Sequence, residues 1–170
     1  SAASDVYKRQ EGMEKISYFE EDMTDFSLHK PADVVLCICD SMNYLLSTEE
    51  IFAMFRCIKE ALAEDGVAIL DMKTAYCFQK VMGNQTRVDE TEEALMIWDN
   101  TYDEETCINE YLLTIFTEDK ATGMYARYDE CHEQRAYTED EIKSCLKETS
   151  LRLVKSWTED EVRTYFVIQR

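Results

Sequence analysis

The chain is 170 residues long, enough for one domain that buries about 70% of the surface its unfolded form exposes. Apolar residues make up 45% and charged residues 32%, a globular mix that excludes a disordered or fibrous chain. Eighteen basic residues against 36 acidic ones give a formal charge of −18, which repels phosphate backbones and anionic lipid, so neither a nucleic acid nor a membrane is expected as partner.

In chain order, Ser1 to Gln10 reads SAASDVYKRQ and resembles the in-frame translation of a transposase adapter end; biological sequence is expected from Glu11. Lys15 to Phe19 has the mixed pattern of a short strand, followed by Glu20-Glu21-Asp22-Met23 and a polar loop through Pro31, in which His29 is expected to be exposed. Ala32 to Cys39 is a β-branched, apolar run of the kind that fills a strand buried on both faces. Ser47 with Glu50 forms a capping box, Ile51, Phe55, Ile58 and Leu62 recur at helical spacing, and Gly66 is expected to follow the helix end as its cap. Val67 to Asp71 reads as a second buried strand. Strand, helix, strand in this order predicts a parallel pair joined by a right-handed crossover.

The pattern then changes to three strands, Ala94–Tyr102, Cys107–Thr117 and Gly123–Tyr137, separated by the acidic turns Asp103-Glu104-Glu105 and Glu118-Asp119-Lys120. Such short connections require antiparallel pairing. Thr138 and Glu141 make another capping box for a helix carrying Ile142, Cys145 and Leu146 on one face; Leu151–Trp157 and Val162–Gln169 close the chain as a β-hairpin. The longest apolar run, Val34 to Cys39, is too short to cross a bilayer, and no charged-then-apolar leader is read, so a cytoplasmic location is expected. The seven cysteines, at 37, 39, 57, 77, 107, 131 and 145, are odd in number with no repeating spacing, and only Cys37 and Cys39 are close, inside an apolar strand-like run. They are expected to be buried neutral thiols, neither disulfides nor metal ligands.

Four stretches taken together carry a resemblance: ISYFEEDMTDF (Ile16–Phe26), ADVVLCICDSMNYLL (Ala32–Leu46), ALAEDGVAILDMKT (Ala61–Thr74) and YDECHEQRAY (Tyr128–Tyr137), with RTYFVIQR (Arg163–Arg170) as a closing strand. Their order and spacing resemble class I S-adenosylmethionine-dependent methyltransferases, in particular those acting on small molecules with a β-rich insertion after the fifth strand. The resemblance implies an α/β fold: a partial Rossmann-like sheet with an antiparallel β insertion over 88–137 and a C-terminal β-hairpin, all within a single domain over 11–170. It also implies that the family's first two strands, with the Gly-rich turn and the acidic strand end that cradle the cofactor, are missing ahead of Lys15. The expected fragment is therefore inactive by itself, binds no S-adenosylmethionine alone, and has unpaired strand edges to cover.

The site residues follow residue by residue. The resemblance implies that the Asp22 carboxylate accepts a hydrogen bond from the adenine amino group and the Met23 amide serves the ring; the alternative is a solvated acid in an acidic run. It places Ile38 and Cys39 near the methionine part of the cofactor, with Asp40 beside them as a cofactor-binding residue, and puts Ser41, Asn43 and Tyr44 where the acceptor is held. A helix-entry turn with local hydrogen bonds is the other reading of Ser41 and Asn43. Cys39 is not expected to act as a nucleophile, because a sulfonium methyl is already activated and rate comes from in-line positioning. By the two-residue period Tyr128, Glu130, His132 and Gln134 share one strand face with Met124 and Ala126. Either His132 or Glu130 there is a candidate to accept the acceptor's proton, or the row is a solvent-facing sheet surface. Arg135 and Tyr137, opposite, are expected to brace the meander on the core. The activity implied is methyl transfer to a small-molecule acceptor, neutral or cationic. Two alternatives remain: a non-enzymatic α/β module that binds a ligand or partner, and a nicotinamide-binding domain, for which the Asp22-Met23 pair is less apt.

Overall fold

The computed structural model describes residues 17–170; Ser1 to Gln10 and the start of the expected Lys15–Phe19 strand lie outside the described residues. Residues 17–20 carry no strand pairing, and the loop that follows is pinned by a bridge between Asp22 and Asp25. Two four-stranded sheets then organise the chain.

The first sheet has the order β1-β2-β8-β7. Strand β1 (Ala32–Cys37) runs parallel to β2 (Leu62–Lys73), and helix α1 (Thr48–Ala61) is the crossover between them. Strands β7 (Arg152–Glu159) and β8 (Arg163–Gln169) form the C-terminal hairpin, with β8 antiparallel to β2. Helix α2 (Glu139–Thr149) lies beside α1, and together they cover one face of this sheet. Ile51, Met54, Phe55 and Ile58 of α1, Ile142 and Leu146 of α2, and Ala68, Leu70, Met72, Phe166 and Ile168 of the strands form one core. Both helices begin with complete capping boxes, Ser47 with Glu50 and Thr138 with Glu141, so orphan amides at each N-terminus are satisfied locally.

Two expectations are corrected here. Strand β1 is not buried on both faces: Val35 and Cys37 pack on the core, whereas Val34, Leu36 and Ile38 are 56%, 59% and 45% exposed. Both helices lie on the other side of the sheet, and β1 is an edge strand, paired only with β2 among the described residues. Gly66, moreover, is not a helix cap. Helix α1 stops at Leu62 in extended conformation, and Gly66 sits inside β2. A Cβ there would stand 3.0 Å from the Ala32 carbonyl oxygen and from the backbone of Ala63, so the glycine permits close strand approach.

The second sheet is a meander, β3 (Gln85–Glu90), β4 (Ala94–Asp103), β5 (Ile108–Asp119) and β6 (Met124–Arg135), entered through a short π-helical segment, Cys77–Met82. Strand β3 has no counterpart in the sequence reading, because QTRVDE is polar on both faces. The acidic turns close on their own side chains: Asp103 accepts from the Glu105 amide and the Thr106 hydroxyl, Asp119 from the Ala121 amide and the Thr122 hydroxyl. The cysteines are all free, but only Cys77 and Cys145 are buried; Cys39 and Cys131 are exposed, because each lies on a face or loop that no second layer covers. Among the described residues no helix is long and apolar enough to cross a membrane.

Candidate functional site

Parallel strands aim their carboxyl ends in one direction, and here the ends of β1 and β2 meet an acid–base cluster. Immediately after β1, Cys39 and Asp40 both adopt left-handed backbone (φ 60° and 54°), a strained choice for non-glycine residues costing about 1–3 kcal/mol each. Asp71, buried at the end of β2, offsets it: its carboxylate accepts from the Cys39 amide at 3.1 Å and the Asp40 amide at 2.6 Å. Arg163, the first residue of β8, spans the two acids with one guanidinium, Nη1 to Asp71 at 2.7 Å and Nη2 to Asp40 at 2.8 Å. The second Asp40 oxygen takes Lys73 Nζ at 2.9 Å and Gln134 Nε2 at 2.9 Å. Burial works to raise the Asp40 carboxyl, but the hydrogen bonds from Lys73, Arg163 and Gln134 outweigh it and hold it below the usual range. Burial pushes the nearby Cys37 thiol up to about 11, with Asp71 adding to the effect, so that thiol stays neutral.

The expected site residues divide. Asp22 and Met23 do come to the same end of the sheet as the loop after β1. Asp22 Oδ1 accepts from the Thr24 amide and hydroxyl, first the hydroxyl and then the amide holding its carboxyl below the usual range, and Cys57 Sγ on α1 donates to the Thr24 carbonyl. Met23 packs on the core and joins Phe26, Val35, Cys37, Ile38 and Ser41 around a cavity of about 320 Å³. Asp22, Met23, Tyr44 and Leu45 line a second hollow beside it. Ser41 donates to the Ile38 carbonyl, the local turn bond of the alternative reading.

Asn43 takes a different place from the one expected: it is 0% exposed. Its amide donates to the carbonyls of Lys73 and Arg135 and accepts from the Lys73 amide, stitching the loop after β1 to the ends of β2 and β6. A buried amide in a loop and one in a ligand site look alike in a sequence; only the three backbone partners separate them.

The row on β6 is split. Met124 and Tyr128 are exposed, as in a solvent-facing sheet, while the same face buries Gln134 fully and half-buries His132. Register extends this face across the meander: Tyr111 is opposite His132, Asn100 opposite Tyr111, and Arg87 opposite Trp98. His132, Tyr111 and Trp98 stack in sequence, with centroids 4.6 and 4.4 Å apart. Tyr44 reaches this stack from the loop after β1, its hydroxyl 2.6 Å from that of Tyr111 and 3.3 Å from His132 Nδ1. Glu130 lies 3.0 Å from His132 Nε2. Beyond the stack a cavity of about 300 Å³ is lined by Trp98, Met82 and Met96 with Lys73, Arg87 and Asn100. Arg135 and Tyr137 brace the meander as expected: Arg135 pairs with Glu141 at 3.0 Å, and Tyr137 donates to the Ser47 carbonyl at 3.1 Å. His29 is exposed.

Sequence reasoning missed Asp71, Lys73, Trp98, Tyr111 and Arg163. Asp71 and Lys73 were accessible from the rule that strand ends face the ligand; Tyr111 and Trp98 needed the register, and Arg163 needed β8 placed beside β2.

No protein-family profile matches the chain. A protein of Geobacillus sp. (strain WCH70), provisionally named a methyltransferase, is 30% identical over 163 residues, which cover 91% of this chain and 66% of the relative. YqeM of Bacillus subtilis (strain 168), provisionally named likewise, is 26% identical over 141 residues, covering 81% of this chain and 56% of the relative. Among solved structures, an S-adenosylmethionine-dependent methyltransferase from Clostridium acetobutylicum ATCC 824 superposes with a TM-score of 0.87 at 23% identity, over 99% of this chain and 70% of that one. The sugar N-methyltransferase KedS8 from Streptoalloteichus sp ATCC 53650 gives 0.70 at 16% identity, over 86% and 60%. The chain is thus similar in sequence to proteins provisionally named methyltransferases and shares the fold of a solved S-adenosylmethionine-dependent methyltransferase. It spans just under two thirds of the first curated relative and little more than half of the second.

Proposed function

We propose that the complete protein transfers a methyl group from S-adenosylmethionine to a small-molecule acceptor. The observation that carries this reading is the meeting of two loops at one end of the sheet: the Asp22-Met23 turn and the Ile38–Tyr44 segment share adjoining hollows. The donor set suits an adenosyl sulfonium. Asp22 supplies an anionic acceptor for the adenine amino group, the Met23 backbone amide a donor for the ring, and Met23 and Phe26 apolar cover. Ile38 and Cys39 flank the place of the methionine part. When bound, the cofactor supplies an activated methyl carbon; the protein's share is to orient the acceptor and exclude water. Asp40 contributes from behind, its carboxylate engaged by Lys73, Arg163 and Gln134, so its part is to fix the loop against the cofactor. The acceptor belongs on the meander face, between Tyr44 and the cavity beside Trp98, and a sugar is one acceptor class to try, since KedS8 is a sugar N-methyltransferase. Cys39 needs no covalent role.

The residues described form one wall of such a site. The bare face of β1 supports the expectation that the 170-residue chain alone binds S-adenosylmethionine weakly or not at all. Isothermal titration of the complete gene product should give micromolar binding, weakened at least tenfold by Asp22→Ala. Unchanged affinity in that variant removes Asp22 from the adenine site. Binding without any acceptor-dependent transfer across a panel of amines, sugars and carboxylic acids would favour the ligand-binding module instead.

A further inference from the structure

Four side chains on three elements stand in a line: Glu130 and His132 on β6, Tyr111 on β5, and Tyr44 in the turn after β1. Hydrogen-bond chemistry orders them. An ionised carboxylate only accepts, so the 3.0 Å contact from His132 Nε2 to Glu130 puts the ring proton on Nε2 and leaves Nδ1 as an acceptor. Tyr44 then donates to Nδ1, and the Tyr44 oxygen accepts from the Tyr111 hydroxyl at 2.6 Å. All the hydrogens point towards Glu130. The imidazole is held flat by its stack on Tyr111, itself stacked on Trp98, with interplanar angles of 12° and 15°. Tyr44 differs from the others in having a second outlook: it is 41% exposed and lines the hollow that holds Asp22 and Met23.

We infer that Tyr44 is the catalytic residue that receives the acceptor's proton during methyl transfer, with His132 and Glu130 as the positioning residues that make it a base, and that the acceptor is therefore a protic amine or hydroxyl. This rests on the methyl-transfer reading above. The step balances as follows. A lone pair on the acceptor nitrogen or oxygen forms a bond to the methyl carbon of the sulfonium donor, and the carbon–sulfur bond breaks with its electron pair left on sulfur. The acceptor's proton passes to the Tyr44 oxygen while the Tyr44 proton passes to His132 Nδ1. The resulting imidazolium is neutralised by Glu130, whose half-exposed side chain hands the proton to water. Tyr111 does not leave the phenol state: burial, and then its bond with Tyr44, push its hydroxyl well above the usual range, which keeps it a donor to Tyr44. A direct role for His132 is less favoured, because both of its ring nitrogens are already bonded.

The chain has two histidines, so imidazole nitrogen NMR on the full 170-residue protein reads the relay without any cofactor. His29→Asn assigns the signals. The neutral His132 ring is expected as the Nε2–H tautomer, with a downfield shift of Nδ1 in Tyr44→Phe as its donor is lost. A ring protonated on Nδ1, or an Nδ1 signal unmoved by Tyr44→Phe, overturns the relay. In the complete gene product Tyr44→Phe should lower kcat by about 10²–10⁴-fold with KM for the methyl donor unchanged. Glu130→Gln, at an exposed position, should give a smaller loss with the same split. Tyr44→Phe turning over at the wild-type rate also overturns the proposal. Absence of methyl transfer by the wild-type protein sinks the methyl-transfer reading and, with it, the catalytic role, whereas donor binding and the ring tautomer report on the two ideas separately.

Discussion

Asn43 shows how one side chain can hold a site without entering it. Its three hydrogen bonds go to backbone groups 30 and 92 residues away in sequence, and its own side chain is buried. Asn43→Ala should therefore cost about 1–3 kcal/mol, since the Lys73 amide and two carbonyls lose their partner. Chemical denaturation of the 170-residue chain measures this, and a midpoint equal to wild type would deny the stitch its importance. Asp40 makes a different demand, on pH. Its carboxyl is held below the unfolded value near 3.8, so its stabilising share is fully present above that value and lost as pH falls through the folded one. Acid unfolding followed by circular dichroism should show a shallower loss between pH 5 and 2 in Asp40→Asn, at the expense of lower stability at neutral pH; pH 5 and 2 here bracket about the range in which carboxylates titrate. Residue types were legible at Asp22, Met23 and Tyr44 because a resemblance in order and spacing marks loop positions. Asn43 was not, because a sequence does not reveal whether an amide finds backbone or ligand. Nor was Arg163, whose two carboxylate partners lie more than ninety residues away.

At the scale of elements, the crossover unit was the most readable part. Capping boxes and a 3.6-residue apolar period are local signals, and both helices begin where those signals put them. The meander was readable in three of its four strands, since alternation and acidic turns are also local. Strand β3 escaped because it is exposed along its whole length and is a strand only by pairing with β4. Gly66 marks the difference between a local and a tertiary reason for a residue. Read locally it ends a helix, but in the folded chain it lets β2 lie against the carbonyl of Ala32. Gly66→Ala should thus destabilise by about 1–3 kcal/mol through a forced shift of backbone rather than through conformational freedom. Thermal unfolding tests it: a variant as stable as wild type, or more so, would mean that the backbone of Ala32 and Ala63 yields to the added Cβ without cost.

For the molecule as a whole, the decisive asymmetry is that the first sheet has helices on one face only among the described residues. Val34, Leu36 and Ile38 make an apolar stripe on an edge strand, the arrangement most prone to edge-to-edge association. The 170-residue chain should self-associate at micromolar concentration despite its charge of −18, and Leu36→Glu should shift it towards monomer in sedimentation velocity. A wild-type chain that remains monomeric at those concentrations would mean the stripe is covered by other means. The continuous apolar run of β1 was legible; its bareness was not, because burial belongs to what packs on a strand rather than to the strand.

Arg163 has a consequence for the order of events during synthesis. The guanidinium that joins Asp40 to Asp71 is added 123 residues after Asp40, in β8. Until that strand emerges, the nascent chain presents two neighbouring carboxylates with no counter-charge from Arg163, and the left-handed turn after β1 lacks its clasp. A polypeptide arrested or clipped before residue 163 would keep its helix signals yet hold the loop after β1 by Asp71, Lys73 and Gln134, without Arg163. Arg163 thus acts as a late latch on a turn whose other residues are all made earlier.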